Sequence, residues 1–153
     1  MATPSPIAVR RIQRELSDIT KNPIPGISAY PVDDDLLRWD GKVVGSSDSP
    51  YKGGSFKFEM TFPPEFPFKA PAVKFTTRIY HPGINEEGSI CVPILRDEWK
   101  PTVSIATVLS VIQEKVNNPS PDDPYEPEIA AQLKSEEAKF MATAKEWTKK
   151  YAS

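Results

Sequence analysis

Cysteine and histidine each occur once in this 153-residue chain, as Cys91 and His81. A single cysteine excludes an internal disulfide and favours a reducing compartment. One histidine and one cysteine without clustered partners also make a poor zinc site, because structural zinc takes four ligands. Long apolar runs are absent. No stretch approaches the ~18 residues needed to cross a bilayer, and "MATPSPIAVRR" has no apolar core of signal-peptide length. The expectation is a cytoplasmic or nuclear protein with no membrane partner and no bound metal or cofactor. The net charge of −2 is too small to point to nucleic acid. No internal repeat and no long linker divides the chain, so residues 1–153 read as one domain, long enough to bury a core.

Proline, in contrast, is abundant: 17 of 153 residues, about 11%, against a usual ~5%. The prolines stand singly or in short clusters between patterned segments, as rigid connections do. Charge is also uneven. Arg10, Arg11, Arg14 and Lys21 lie in the first 21 residues, whereas Asp122 to Glu137 carries six acids against one lysine. A basic N-terminal face suits an acidic protein partner, or is simply a solvated helix face.

The patterned segments predict an α+β fold. Ser5-Pro6 reads as an N-cap followed by proline at the first helical position. Val9, Ile12, Leu16 and Ile19 then recur at helical spacing, until "KNPIPG" stops the helix. "FKFEMTF" places Phe56, Phe58, Met60 and Phe62 at every second position, a strand with one buried face. "ISAYPV", "LLRWDGKVV" and "AVKFTT" supply three more strands. Turn-rich connections make the four an antiparallel meander. The stiff loop "FPPEFPFKAP" presents Phe66 and Phe68, either as core cover or as partner anchors. A long aperiodic segment from Tyr80 to Pro101 has the length of a functional loop. Three further helices follow: one on Ile105, Val108, Leu109, Ile112 and Val116 with Ser104 as its cap, one on Ile129 and Leu133, and one on Phe140, Ala144, Trp147 and Tyr151. The helices are expected to cover one face of the sheet.

The chemistry candidates lie in "YHPGINEEGSICVPIL". On residue type alone, Cys91 is open to several readings: an inert buried thiol, half of a Cys–His pair, or a nucleophile. Its place in an irregular, glycine-containing segment keeps the last in play.

The stretch "SPYKGGSFKFEMTFPPEFPFKAPAVKFTTRIYHPGINEEGSICVPILRDEWKPTVSI" closely resembles the ubiquitin-conjugating enzymes. So do "RRIQREL", "DDDLLRW", "NPSPDDPYEPEIA" and "EWTKKYA", so the resemblance covers nearly the whole chain. It is most similar to the minimal, multi-purpose members that build ubiquitin chains. The resemblance implies the same fold as the pattern: a helix, a four-stranded meander, a long active-site loop and three helices. It also implies a function. An activating enzyme, using ATP, passes ubiquitin's C-terminal glycine to Cys91 as a thioester. A ligase of the RING or HECT/RBR type then helps move it to a substrate lysine or to a ligase cysteine. A lysine amine starts near pKa ~10.4 and must lose a proton to attack. The family places an acid near the cysteine to help, and Asp123 matches that position. His81 and Pro82 shape the loop.

Three departures stand out. The family's HPN motif reads "HPG" here, so Gly83 replaces an asparagine assigned to stabilising the oxyanion formed on lysine attack. Asn85, two residues on, is a conceivable substitute. Pro93 stands where the multi-purpose members carry an acid, and Lys100 where they carry serine. Proline and lysine at these places resemble relatives that discharge mainly to ligase cysteines, while Asp123 points to lysine transfer. Arg11, Phe68, Lys100 and Pro101 match the family's ligase-docking patch, and Ser28 matches a back-face position where relatives hold a second ubiquitin. The chain is expected to be monomeric. Two other functions remain in view: a non-catalytic module of the same fold that modulates ubiquitin transfer, and a conjugating enzyme for another ubiquitin-like protein. Non-catalytic relatives lack the cysteine, and Cys91 is present.

Overall fold

The computed structural model describes residues 5–122 and 125–153. Its first element is α1, Pro6–Lys21. Ser5 caps it, accepting the Ala8 N–H at 3.1 Å, and Pro6 occupies a first-turn position that needs no donor. The buried face is rotated slightly from the expected stripe. Ala8, Ile12 and Glu15 are buried, while Leu16 and Ile19 pack only partly. The reason is Glu15. Its carboxylate accepts the backbone N–H of Ile105 and, at 2.6 Å, the Arg11 Nε–H. A buried carboxylate is tolerated when paired and hydrogen-bonded, and this one sits at the positive end of another helix.

The four strands are β1 Ile27–Val32, β2 Asp35–Val44, β3 Ser55–Thr61 and β4 Ala72–Phe75. They pair antiparallel in the order β1-β2-β3-β4, the predicted meander. Pro31 is accommodated because β1 is an edge strand, and a bulge follows it at Pro31/Val32. Ile27, Ala29, Trp39, Val43, Phe56, Phe58, Met60 and Phe75 point to one buried face, while Ser28, Tyr30, Asp40, Lys42 and Lys57 stand exposed on the other. Gly41 pairs with Phe58, and a Cβ there would lie 2.2 Å from that ring. The pattern "AVKFTT" predicted a longer β4. It ends at Phe75 because the Thr76 and Thr77 N–H groups both turn to the Lys57 carbonyl, at 2.9 and 3.3 Å.

The Pro-rich loop separates its two phenylalanines. Phe66 is fully buried, edge-on to Phe62 at 4.9 Å and tilted against Trp99 at 6.0 Å. Phe68 is 65% exposed. Phe66→Leu is therefore expected to lower stability by about 1–2 kcal/mol through lost ring contacts, and Phe68→Leu by less than ~0.5 kcal/mol. Denaturant unfolding of the two variants checks this.

Helix α2, Ile105–Asn117, starts on the expected cap, Ser104, and buries Ile105, Val108, Leu109, Ile112 and Val116. It packs on α1 and β1. Helices α3, Pro127–Ser135, and α4, Glu137–Trp147, close the fold. The predicted α4 stripe holds at Phe140 and Ala144, but Tyr151 is partly exposed. Past Trp147 the chain widens into a π turn, Thr148–Ala152, which carries Thr148 and Ala152 inward and Tyr151 out. Among the described residues, no helix is long and apolar enough to cross a membrane.

Candidate active site

The segment from Tyr80 to Cys91 is a small hairpin laid along the free edge of β4. The Cys91 N–H donates to the Gly83 carbonyl at 2.8 Å, and the Asn85 N–H to the Ser89 carbonyl at 3.1 Å. Ser89 bridges Lys74, and the Phe75 N–H donates to the Gly88 carbonyl at 2.8 Å. Gly88 makes the approach possible. Its φ of 89° favours glycine, and a Cβ there would lie 2.0 Å from the Phe75 carbonyl oxygen.

His81 is fully buried at the root of this hairpin. Its Nδ1 accepts the Gly83 N–H at 2.9 Å, so the ring proton resides on Nε2, which donates to the Lys115 carbonyl at 2.7 Å. The ring stacks on Tyr51 at 5.8 Å. His81 thus joins the hairpin to α2, and both of its nitrogens are engaged in backbone contacts. Pro82, also buried, accepts the Glu126 N–H at 2.9 Å, joining the hairpin to the α2–α3 connection.

Cys91 follows from alternation. Ile90 and Val92 are buried on either side of it, so the intervening thiol is turned outward and partly exposed. The chain then makes a 3-10 turn, Pro93–Leu95. Pro93 opens that turn, and its carbonyl accepts from the Arg96 and Glu98 N–H groups. A partly exposed sulfur on an anchored loop can reach a large second substrate without moving the core. Gly83 is buried, and the left-handed glycines are Gly26, Gly53 and Gly88. Asn85 is committed elsewhere. Its side-chain oxygen accepts the Glu87 and Ser89 N–H groups, at 3.1 and 2.9 Å, and so holds its own turn. Asp123 lies outside the described residues.

The remaining candidates fall into two places. Phe68, Lys100 and Pro101 are exposed on neighbouring loops. Trp99 joins those loops, donating from its indole to the Pro67 carbonyl at 3.0 Å. Arg11 braces the same end from within: its guanidinium donates to the Pro101 and Val103 carbonyls at 2.7 and 3.0 Å as well as to Glu15. Ser28 is far from these in the fold, exposed on the open face of the sheet opposite Lys42 in the β1–β2 register.

Tyr51, which positions the hairpin, was not foreseen from sequence. Its hydroxyl donates to the Tyr80 carbonyl at 2.6 Å. Burial, with Tyr80 adding to it, raises its pKa well above the ordinary phenol value, so it stays a donor at neutral pH. Tyr80, raised in the same direction by burial and by Glu128, donates in turn to Gln132 at 2.6 Å. The available signal was a lone large aromatic in the otherwise small and polar "GSSDSPYKGG". Among the described residues, no group of histidine, cysteine and acidic side chains could hold a metal ion.

Comparison with known proteins bears on the fold and the family. The family described as "Ubiquitin-conjugating enzyme" matches residues 11–148. The structure is also similar to the E2 domain of a ubiquitin conjugating enzyme from Toxoplasma gondii. That match has 38% sequence identity and a TM-score of 0.86, and covers 95% of this chain and 99% of the other. With the meander, the anchored hairpin and the outward cysteine in place, the chain belongs to the ubiquitin-conjugating enzyme family.

Proposed function

We propose that the protein accepts ubiquitin from the activating enzyme as a thioester on Cys91 and passes it on with the help of a ligase. The observation that carries this reading is the thiol itself. It is the only one in the chain, and it is turned outward on a hairpin whose other groups are spent on holding it. In the first step the Cys91 thiolate attacks the carbonyl carbon of the activating enzyme's ubiquitin thioester. A new C–S bond forms, the old one breaks, and the activating enzyme's cysteine leaves as thiolate. This is a near-balanced exchange, so orientation matters more than strong activation. ATP is consumed by the activating enzyme, and no cofactor is needed here.

In the second step a lysine amine or a ligase cysteine attacks the same carbonyl carbon, and Cys91 leaves as thiolate. The amine route also needs a proton removed, the role assigned to Asp123. With Gly83 in the asparagine position, the thiol route is the faster one. Protein substrates and ligases are the partners, the chain acts as a monomer, and its setting is the cytoplasm or nucleus. The test is incubation with activating enzyme, ATP and ubiquitin, followed by gels with and without reductant. A reductant-labile adduct is expected. A parallel incubation with another ubiquitin-like protein and its own activating enzyme assigns the cargo. No adduct with any competent activating enzyme leaves the non-catalytic reading in its place.

Phe68 supports the docking reading, because an aromatic on a proline-stiffened loop loses little entropy on binding. Phe68→Ala is expected to charge normally and to respond poorly to ligases. Undiminished ligase-stimulated discharge in that variant removes the patch from the proposal.

A further inference from the structure

Beyond Cys91 the chain passes through buried Val92 and the turn Pro93–Leu95 and reaches Arg96. The Arg96 guanidinium carbon lies 4.8 Å from the centroid of the Tyr125 ring. Tyr125 belongs to the connection between α2 and α3. The next residue of that connection, Glu126, donates its N–H to Pro82 at 2.9 Å. One connection is therefore fastened to both flanks of the cysteine, to residue 82 before it and to residue 96 after it. Asp123 is two residues from Tyr125 in the sequence.

Neither side chain is needed for the core. Arg96 is exposed and Tyr125 is half-buried. Their contact has a definite chemistry: the electron-rich face of the phenol ring attracts the flat guanidinium cation, and the ring supplies that attraction without its hydroxyl. The Glu126–Pro82 bond is made by backbone and survives any side chain at 125. The contact with Arg96 depends on the ring.

We infer that Arg96 and Tyr125 are a pair of positioning residues: their stacking holds the α2–α3 connection beside the thioester and sets the approach of an incoming amine. The inference rests on the proposed thioester function. It concerns the amine route alone, which needs both an aligned nucleophile and a nearby group to take its proton. An external thiol needs less of both.

The experiment charges Cys91 first and then follows single-turnover discharge to free lysine over a range of lysine concentrations. Exchange with a small thiol is followed in parallel. The proteins are the parent, Tyr125→Phe, Tyr125→Leu, Arg96→Ala and the double variant Tyr125→Leu/Arg96→Ala. Each is made also in the Gly83→Asn background, where lysine discharge is fast enough to measure. Normal charging of each variant shows that it is folded. Tyr125→Leu and Arg96→Ala are each expected to slow lysine discharge about threefold to tenfold, as befits one cation–π contact. Tyr125→Phe should stay within about twofold of its background, since phenylalanine keeps the ring face. The double variant should be no slower than either single variant, because the two residues act through one contact. Thiol exchange should not change in any of them. The inference is overturned if Tyr125→Phe loses as much as Tyr125→Leu, if the single losses multiply in the double variant, if lysine discharge is unaffected, or if thiol exchange falls in step with it. Failure of the parent to charge at all overturns the thioester function instead, and is seen before any discharge is measured.

Discussion

Cys91→Ala is expected to abolish the ubiquitin adduct, and Cys91→Ser to leave a slowly formed adduct that survives reductant. Alanine has no nucleophile. Serine has one, but a hydroxyl without an adjacent base attacks slowly. Both nitrogens of the only histidine are already engaged in backbone contacts. The oxygen ester that serine forms does not exchange with a thiol reductant as a thioester does. Three bands therefore separate the cases: labile in the parent, absent in alanine, stable in serine. Because Cys91 is partly exposed and is not one of the buried core residues, the alanine variant should unfold at nearly the parent's denaturant concentration. Loss of charging then reports chemistry. An adduct persisting in Cys91→Ala would place the acceptor on another residue and end the proposal.

Gly83→Asn is expected to raise the rate of discharge to free lysine by something approaching the ~10²-fold typical of a single oxyanion donor. Discharge to a thiol should change much less. Lysine attack passes through a tetrahedral oxyanion and needs the amine deprotonated, whereas thiolate attack swaps one sulfur for another. Gly83 has no side chain to donate to that oxyanion. Its carbonyl meets the Cys91 N–H at 2.8 Å, so residue 83 lies directly across the hairpin from Cys91. The Asn85 amide oxygen holds the Glu87 and Ser89 N–H groups, which fixes the amide in its own turn and leaves its NH2 to donate only from that position. Asn85→Ala should therefore loosen the turn and lower both discharge routes together, without a selective loss on lysine. Single-turnover discharge of the parent, Gly83→Asn and Asn85→Ala decides the matter. A parent that discharges to lysine as fast as Gly83→Asn refutes the oxyanion argument. A selective loss in Asn85→Ala puts Asn85 in the asparagine's role.

The fold was legible where one local rule dominated. Ser5 and Ser104 cap their helices because their hydroxyls satisfy the orphan N–H groups there. The alternation in "FKFEMTF" is obeyed because a one-residue slip would turn Phe56, Phe58 and Met60 to solvent. The rules failed where the deciding contact was distant in sequence. Glu15 is buried because its partner is the Ile105 N–H, 90 residues away. Phe66 and Phe68 stand two apart on one loop and look equivalent until Phe62 and Trp99 claim the first. The same holds for the site. Cys91 stood out as the one thiol in an aperiodic segment. Tyr51 did not, because its part depends on the Tyr80 carbonyl and the His81 ring, 29 and 30 residues later.

By itself, then, the sequence determined the element order, the caps and the one-sided sheet, because each rests on residue type and short-range spacing, and it singled out Cys91 as the one candidate thiol. Only the tertiary structure decided which way the thiol faces and what holds it. It also decided that Arg11 braces the Pro101–Val103 backbone from within while Phe68, Lys100 and Pro101 face outward. It showed that Asn85 is committed to its own turn and that Arg96 meets Tyr125 across the cysteine's flank. These are matters of which hydrogen-bond donor finds which acceptor, and which ring finds which cation, once distant segments are packed together. No spacing along the chain contains that information.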